Sequence, residues 1–297
     1  MDRIEAIEMA EESDHCIRPA EAFSLLGNET RIKILETLWK AEEQPVPFSR
    51  LYEAADVTNS SKFNYHLGKL LGQYIRKTDG GYELRTAGKS VVGMIVKGSF
   101  NAHPQPDPFE VDEPCTKCSG QLMARYENEM LAIECSSCDR GHGRYSFPPG
   151  GMLGRDNDEL LTVFDRRVRH LLNLAQDGVC PECSGKIRSM IEMGEIETHD
   201  AEISVRFVCQ QCNHTLQAPI GFTLLNRSPV VTFYRDHGLE LADRRYWRLP
   251  WCVSDDCTTI RSVTPHSFDV ALTLDSETLC ITLDRDLNLI RTRRIAL

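Results

Sequence analysis

The chain has 297 residues, of which 41% are hydrophobic and 26% charged; that is the balance of a soluble globular protein long enough for two or three domains. No apolar run approaches the ~18 residues of a transmembrane helix, and Met1 to Cys16 is acidic without the apolar stretch of a signal peptide, so a cytoplasmic protein with no membrane partner is expected. The net charge is −10, yet residues 17–99 carry 12 basic and nine acidic side chains, so one locally positive segment stands in an otherwise acidic chain, as a polyanion site would require.

Residues 1–16 form an acidic tail. From residue 17 to 100 the pattern is mostly helical. A first helix is expected over Ala20 to Leu26. Gly27 ends it, and Asn28 is placed to cap a second helix in which Ile32, Leu35, Leu38 and Trp39 recur at helical spacing. Pro45 and Pro47 close that helix. Phe48 to Ala55 predicts a short helix with Leu51 and Ala55 inward. Asp56-Val57-Thr58-Asn59 makes a turn, and Ser60 to Gln73 predicts a further helix with Phe63, Leu67, Leu70 and Leu71 on its apolar side. Tyr74 to Lys77 and Tyr82 to Arg85 flank Asp79-Gly80-Gly81, a hairpin signal. Thr86 to Val96 predicts a last helix with Val91, Val92 and Ile95 inward.

This order of elements is that of a winged helix-turn-helix. The stretch from Phe23 to Phe100 resembles the ArsR-type winged helix family, in particular its halophilic-archaeal branch. The residues that carry the resemblance are Leu26-Gly27-Asn28-Glu29-Thr30-Arg31-Ile32-Lys33-Ile34-Leu35, Phe48-Ser49-Arg50-Leu51-Tyr52, Ser61-Lys62-Phe63-Asn64-Tyr65-His66-Leu67 and Gly81-Tyr82-Glu83-Leu84-Arg85-Thr86-Ala87-Gly88. The resemblance implies a regulator of transcription that binds double-stranded DNA. It also implies a homodimer formed through the helices before and after the winged unit, reading a palindromic site. Well-known metal-sensing members use cysteines within the winged domain; this chain has none between residues 17 and 114, so that sensing mode does not carry over.

On the DNA reading, a recognition helix places short polar and basic side chains in the major groove near its N-terminal end. Here these are Ser60, Ser61, Lys62, Asn64 and Tyr65, with Phe63 and Leu67 turned inward. Asn pairs with adenine, and Lys with guanine or phosphate. His66 and Lys69 are expected at phosphates. Arg76, Lys77, Thr78 and Arg85 of the wing are expected at the flanking backbone or minor groove. Residues 58–89 hold six basic and two acidic side chains.

Four prolines between Asn101 and Pro114 predict a semi-rigid linker over 101–114. Eight of the 12 cysteines then form four Cys-x-x-Cys pairs: Cys115/Cys118 with Cys135/Cys138, and Cys180/Cys183 with Cys209/Cys212. Two such knuckles on adjacent hairpins complete a tetrahedron of thiolates, which suits zinc. A redox dithiol usually occurs once, at a strand-to-helix junction; an iron–sulfur cluster stays open. With four thiolates and no free position each site is expected to be structural, because catalytic zinc keeps a place for water. Zinc ribbons are therefore expected over 115–150 and 179–220, joined by a helix within 151–178 whose apolar face carries Leu160, Leu161, Phe164, Val168, Leu171 and Leu172, and whose opposite face carries Arg166, Arg167 and Arg169.

Residues 221–297 form the C-terminal region, ending in alternating strands with Val270, Leu272 and Leu274, then Leu279, Ile281 and Leu283, the signature of a small antiparallel sheet. The region from Cys115 onward is similar to segments appended to winged helices in halophilic archaea, through Pro148-Pro149-Gly150-Gly151, Gly178-Val179-Cys180-Pro181-Glu182-Cys183 and Tyr234-Arg235-Asp236-His237-Gly238. Cys16, Cys252, Cys257 and Cys280 are expected to be partly buried thiols, with a redox- or metal-sensing role as the alternative. The fold class is thus α+β and multidomain.

No zincin motif, phosphate-binding glycine loop or Gly-x-Ser-x-Gly elbow occurs, and His103, His142, His199, His214 and His237 are scattered, so no enzyme is expected. An alternative to the DNA-binding regulator is an adaptor whose ribbons dock on the transcription or RNA machinery. A third possibility is a ligand pocket around Trp247 and Trp251.

Overall fold

The computed structural model describes residues 17–194, 201–263 and 266–297. The acidic tail with Cys16, and His199, lie outside the described residues. The chain divides into two units, Met1–His103 and Pro104–Leu297.

The N-terminal unit runs α1 (Pro19–Ser24), α2 (Glu29–Lys40), α3 (Phe48–Ala54), α4 (Ser60–Leu70), β1 (Ile75–Thr78), β2 (Gly81–Leu84) and α5 (Thr86–Lys97). Local chemistry sets the ends. The Asn28 side chain accepts from the Arg31 amide at 3.3 Å to start α2. Asn59 accepts from the amides of Ser61 and Lys62 at 2.8 and 3.2 Å to start α4. Each satisfies N–H groups that have no partner within the helix. Gly98, with φ +79°, closes α5 in the left-handed conformation.

One apolar core holds Ile34, Leu35 and Leu38 of α2, Leu51 of α3, Phe63, Leu67 and Leu70 of α4, and Val91 and Val92 of α5. Phe63 meets Phe48 and Tyr52 edge-on, with centroids 5.1 and 5.3 Å away, the arrangement aromatic quadrupoles favour. β1 and β2 pair antiparallel around Asp79-Gly80, with Ile75 opposite Leu84. Val46 adds a bridge to Tyr82 with two bonds of 2.9 Å.

Two helix boundaries differ by two residues or more from the sequence expectation. α1 ends at Ser24 and buries no side chain; the Tyr74 hydroxyl donates to the Ala22 carbonyl at 2.8 Å and so ties it to the rest. α4 stops at Leu70, because Leu71 turns to extended backbone and Gly72 takes φ +83°. Trp39 and Leu71, expected inward, are exposed.

The second unit contains three antiparallel sheets and a long helix. The first sheet has the order β3 (Phe109–Pro114), β4 (Gln121–Glu127), β5 (Met130–Cys135), β6 (Gly141–Ser146). Helix α6 (Asn157–Gln176) follows, opened by a capping box between Asp156 and Glu159. The second sheet is β7 (Ile187–Met193), β8 (Ile203–Cys209), β9 (Thr215–Pro219). After two short helices, α7 (Ser228–Asp236) and α8 (Pro250–Val253), the chain ends in the four-stranded sheet β10 (Thr258–Val263), β11 (His266–Leu274), β12 (Glu277–Asp284), β13 (Leu289–Ala296).

The segments 115–150, 151–178, 179–220 and 221–297 share one continuous core, from Val111 to Leu287. The expected apolar face of α6 lies in it, with all six named residues buried. Its arginine face is only partly solvent-facing. Arg166 is exposed, Arg167 donates to the Ser146 carbonyl at 2.9 Å, and Arg169 pairs with the buried Asp165 at 2.8 Å. Burial pushes the Asp165 carboxyl up, against Arg169 and the Tyr246 amide.

The linker expected over 101–114 is shortened by a strand. Phe109 to Pro114 joins the first sheet with Val111 opposite Leu122. The Pro-x pattern stops at Pro108, and the alternation of Phe109 and Val111 with acidic residues is that of an edge strand. Glu113 accepts from the Trp247 indole at 3.1 Å and pairs with Arg245 at 3.3 Å. Trp247 and Trp251 are therefore core side chains, the latter donating to the Tyr234 hydroxyl at 3.0 Å; they do not line an open ligand pocket as the sequence suggested. In the C-terminal sheet Phe268, Val270 and Leu272 face the core opposite Leu283, Ile281 and Leu279, as alternation requires; Leu274 is half-buried. Among the described residues no helix is long and apolar enough to cross a membrane.

Candidate metal centres and nucleic-acid interface

The eight knuckle cysteines come together as two sets of four: Cys115, Cys118, Cys135 and Cys138, and Cys180, Cys183, Cys209 and Cys212. Each knuckle has the same backbone. The residue after the second cysteine (Ser119, Asp139, Ser184, Asn213) has φ between +56° and +59°, and its amide donates to the carbonyl of the first cysteine at 2.9–3.2 Å. The first cysteine's own amide donates to the residue after that, Gly120, Arg140, Gly185 or His214, at 2.8–3.0 Å. This tight turn aims both sulfurs to one side.

The sulfur separations test whether an ion fits. Cys115–Cys138 and Cys118–Cys135 are 3.8 and 3.5 Å apart. In the second cluster Cys180–Cys212 and Cys183–Cys209 are 3.6 and 3.5 Å apart. A tetrahedron with metal–sulfur bonds of ~2.3 Å has edges of ~3.8 Å, so both clusters are of a size that one tetrahedral ion would fill. Backbone amides point at the sulfurs: Lys117 to Cys115 and Ser137 to Cys135, each at 3.4 Å, and Gln211 to Cys209 at 3.3 Å. Burial raises the Cys135 and Cys209 thiols, but backbone amides and the neighbouring cysteine thiols together outweigh it. The Ser137 and Cys138 amides, with the Cys118 and Cys138 thiols, hold Cys135 down to about 7, and the Cys212 and Gln211 amides, with the Cys183 and Cys212 thiols, hold Cys209 down to about 6. Four sulfurs this close cannot all carry charge by themselves; a divalent cation removes the repulsion.

The two clusters also explain two glycines. A Cβ on Gly120 would lie 2.5 Å from the Ser137 hydroxyl, and one on Gly185 would lie 2.8 Å from Gln211 Cβ. In both, the opposite knuckle rests on the glycine. Beside the first cluster stands His142, fully buried, with Nε2 3.4 Å from Cys115 Sγ and Nδ1 3.3 Å from the Trp247 carbonyl. It is neither a scattered nor a surface histidine; it joins the first cluster to the unit's core. Cys252 is buried, and Cys257 and Cys280 are half-buried; burial pushes the Cys252 and Cys257 thiols up, the behaviour of inert core thiols.

In the N-terminal unit, Ser60, Ser61, Lys62, Asn64, Tyr65 and Lys69 are all exposed on one side of α4, while Phe63, Leu67 and Leu70 fill the core. Tyr65 is 59% exposed, and the Lys69 ammonium lies 5.6 Å from its ring centroid. On the hairpin Arg76, Lys77 and Arg85 are exposed and Thr78 is half-buried. Arg76 is held by Glu83 at 2.9 and 2.7 Å, so part of its charge is already compensated. His66 is a correction: expected at a phosphate, it is 6% exposed and packs inward, its ring edge-on to Tyr65 at 5.3 Å. One helical step of 100° beyond Tyr65 carries a side chain from solvent into the core. Burial, then Arg31 and Lys62, lower the His66 pKa.

Two family models match the chain, "Domain of unknown function (DUF7347)" over residues 19–95 and "Domain of unknown function (DUF7351)" over residues 112–289. The second spans more than half of the chain. The chain belongs to the DUF7351 family. No curated protein and no solved structure matches it. The DUF7351 match begins inside β3 and ends in β13, so it takes in both cysteine clusters and the core that joins them. Within it the sequence carries a repeat that cysteine spacing alone does not reveal: Cys115-Thr116-Lys117-Cys118-Ser119-Gly120 and Cys180-Pro181-Glu182-Cys183-Ser184-Gly185. The Ser-Gly pair was the available sign that two knuckles share one backbone. The role of His142 in DUF7351 had no such sign, because its neighbours Trp247 and Cys115 are remote in sequence.

Proposed function

We propose that the chain is a sequence-specific DNA-binding regulator of transcription, with a winged helix-turn-helix in its N-terminal unit and two structural zinc ions in its DUF7351 unit. The observation that carries the proposal is the division of α4. Every apolar residue expected inward up to Leu70 is in the core, and the exposed side presents Ser61, Lys62, Asn64, Tyr65 and Lys69 next to a hairpin bearing Lys77 and Arg85. Polar side chains on an amphipathic helix beside a basic hairpin are what major-groove entry with flanking backbone contacts needs. The acidic remainder of the chain confines duplex binding to this face. A homodimer fits the same scheme: Phe23 on α1 and Phe100 after α5 are 68% and 72% exposed, and α1 buries no side chain in its own unit. Zinc is the ion we assign, because four thiolates in a closed tetrahedron match its preferences and leave no position for catalysis.

The test is selection of duplexes from a random pool by the full-length, metal-loaded chain, followed by salt titration. Lys62→Ala and Lys77→Ala are expected to weaken binding and to reduce the slope of log affinity against log salt by about one each. Failure of the wild-type chain to bind any duplex at moderate salt would overturn the proposal, and an adaptor for protein partners would then take its place.

A further inference from the structure

We propose that Gly68 is the point at which duplex DNA approaches α4 most closely, so that its missing side chain belongs to the binding surface. This deepens the DNA-binding reading and rests on it. Three glycines lie within helices of the described residues of the N-terminal unit: Gly68, Gly88 and Gly93. Gly88 is explained by packing, since a Cβ there would sit 2.3 Å from the Tyr74 carbonyl oxygen. At Gly68 and Gly93 an added Cβ meets nothing within 4 Å. Of these two, only Gly68 stands among the exposed polar side chains of the candidate interface.

The fold supplies no reason for glycine at position 68. Glycine is the poorest helix former after proline. The left-handed position that ends α4 belongs to Gly72, with φ +83°, and Gly68 has no such backbone. Its surface neighbours one helical turn back are Asn64 and Tyr65, and Lys69 follows it; all are exposed. A major groove is ~12 Å wide, and a helix with its side chains measures ~10–12 Å across. The fit is close enough that one absent side chain lets the helix backbone come against a strand of the duplex. With Gly68 at that contact, Asn64 and Tyr65 sit deeper in the groove, where base edges are within reach, and Lys69 lies beside a phosphate.

The experiment uses the full-length, metal-loaded chain and a duplex of about 20 base pairs selected from a random pool by the wild type. Gly68→Ala and Gly68→Gln are compared with it in binding, in salt dependence and in amide exchange of α4. Exchange is expected to stay the same or to slow, since both replacements favour helix. Affinity is expected to fall about tenfold for Gly68→Ala and further for Gly68→Gln, with an unchanged salt slope because no charge is removed. Variants that bind as tightly as the wild type overturn this inference and leave the DNA reading intact. A loss of affinity accompanied by faster amide exchange in both variants also overturns it, by making position 68 structural. If the wild type binds no duplex, the DNA reading itself falls.

Discussion

The N-terminal unit closes its core with helices and one hairpin and has no cysteine among its described residues, while the second unit spreads one core beneath three small sheets and brings cysteines together in fours at two of them. The difference follows from what each kind of element can bury. Helices α2, α4 and α5 present broad apolar faces to one another, and two of them begin on asparagine caps that satisfy their free amides. The first two sheets of the second unit have four and three short strands, too little apolar area to stand alone at the ends that carry the knuckles. On the proposed reading, an ion held by each four-cysteine cluster would substitute for a core there. On that reading the first unit relies on packing and the second on packing and coordination together, so the two should fail under different insults.

The largest expected effect is metal removal. Structural zinc sites with thiolate ligands are worth on the order of 10 kcal/mol near neutral pH. A strong chelator is expected to abolish amide protection in β4 to β9 while α2, α4 and α5 keep theirs. The converse insult is Leu35→Ala, a buried truncation costing about 2–5 kcal/mol. It should open the N-terminal unit and leave two metal ions per chain, one for each cluster, as elemental analysis would count them. Loss of both units together under chelation would break the comparison.

Within the second unit the comparison sharpens to single knuckles. Gly185→Ala forces a Cβ against Gln211 at 2.8 Å, and Gly120→Ala forces one against Ser137. Overpacking of this kind costs about 1–3 kcal/mol. Each substitution is therefore expected to weaken metal retention in its own cluster by roughly ten- to a hundredfold and to leave the other unchanged. Titration with a chromophoric chelator would resolve the two. Equal retention in wild type and variants would show that the knuckles tolerate the strain.

Much of this was legible beforehand where the signal was local. Asn28 as a cap, the Asp79-Gly80 turn, the apolar face of α6 and the four Cys-x-x-Cys pairs all depend on residues within a turn or two of each other. The features that local sequence does not reveal depend on residues far apart in the chain. Val111 is buried because Leu122 pairs with it, so proline-rich surroundings concealed a strand. Trp247 is a core residue because Glu113 accepts its indole proton. His142 is buried because Cys115 and the Trp247 carbonyl enclose it. The candidate DNA face is legible as a set of residues, with His66 the exception, since it lies one helical step beyond Tyr65 and turns into the core.

His66 also gives the smallest expected effect, and it separates the units by pH. Burial, then Arg31 and Lys62, keep its pKa in the folded unit below the ordinary 6.5, and its Nδ1 has no hydrogen-bond partner. The folded form therefore binds fewer protons than the unfolded form in the window around and between its own lowered value and 6.5. Stability of the N-terminal unit is then full above that value and declines as pH falls through 6.5 toward the folded value, where it levels off. His66→Gln keeps a polar side chain of similar reach and cannot charge, so the decline in this window should flatten. Urea midpoints of the N-terminal amides, followed by exchange from about pH 5 to 8, would measure it. In the second unit acid acts by another route, since protons compete with the ions for thiolates, and its decline should persist in His66→Gln. A variant that flattens neither decline would mean that His66 is not the group through which acid reaches the helical core.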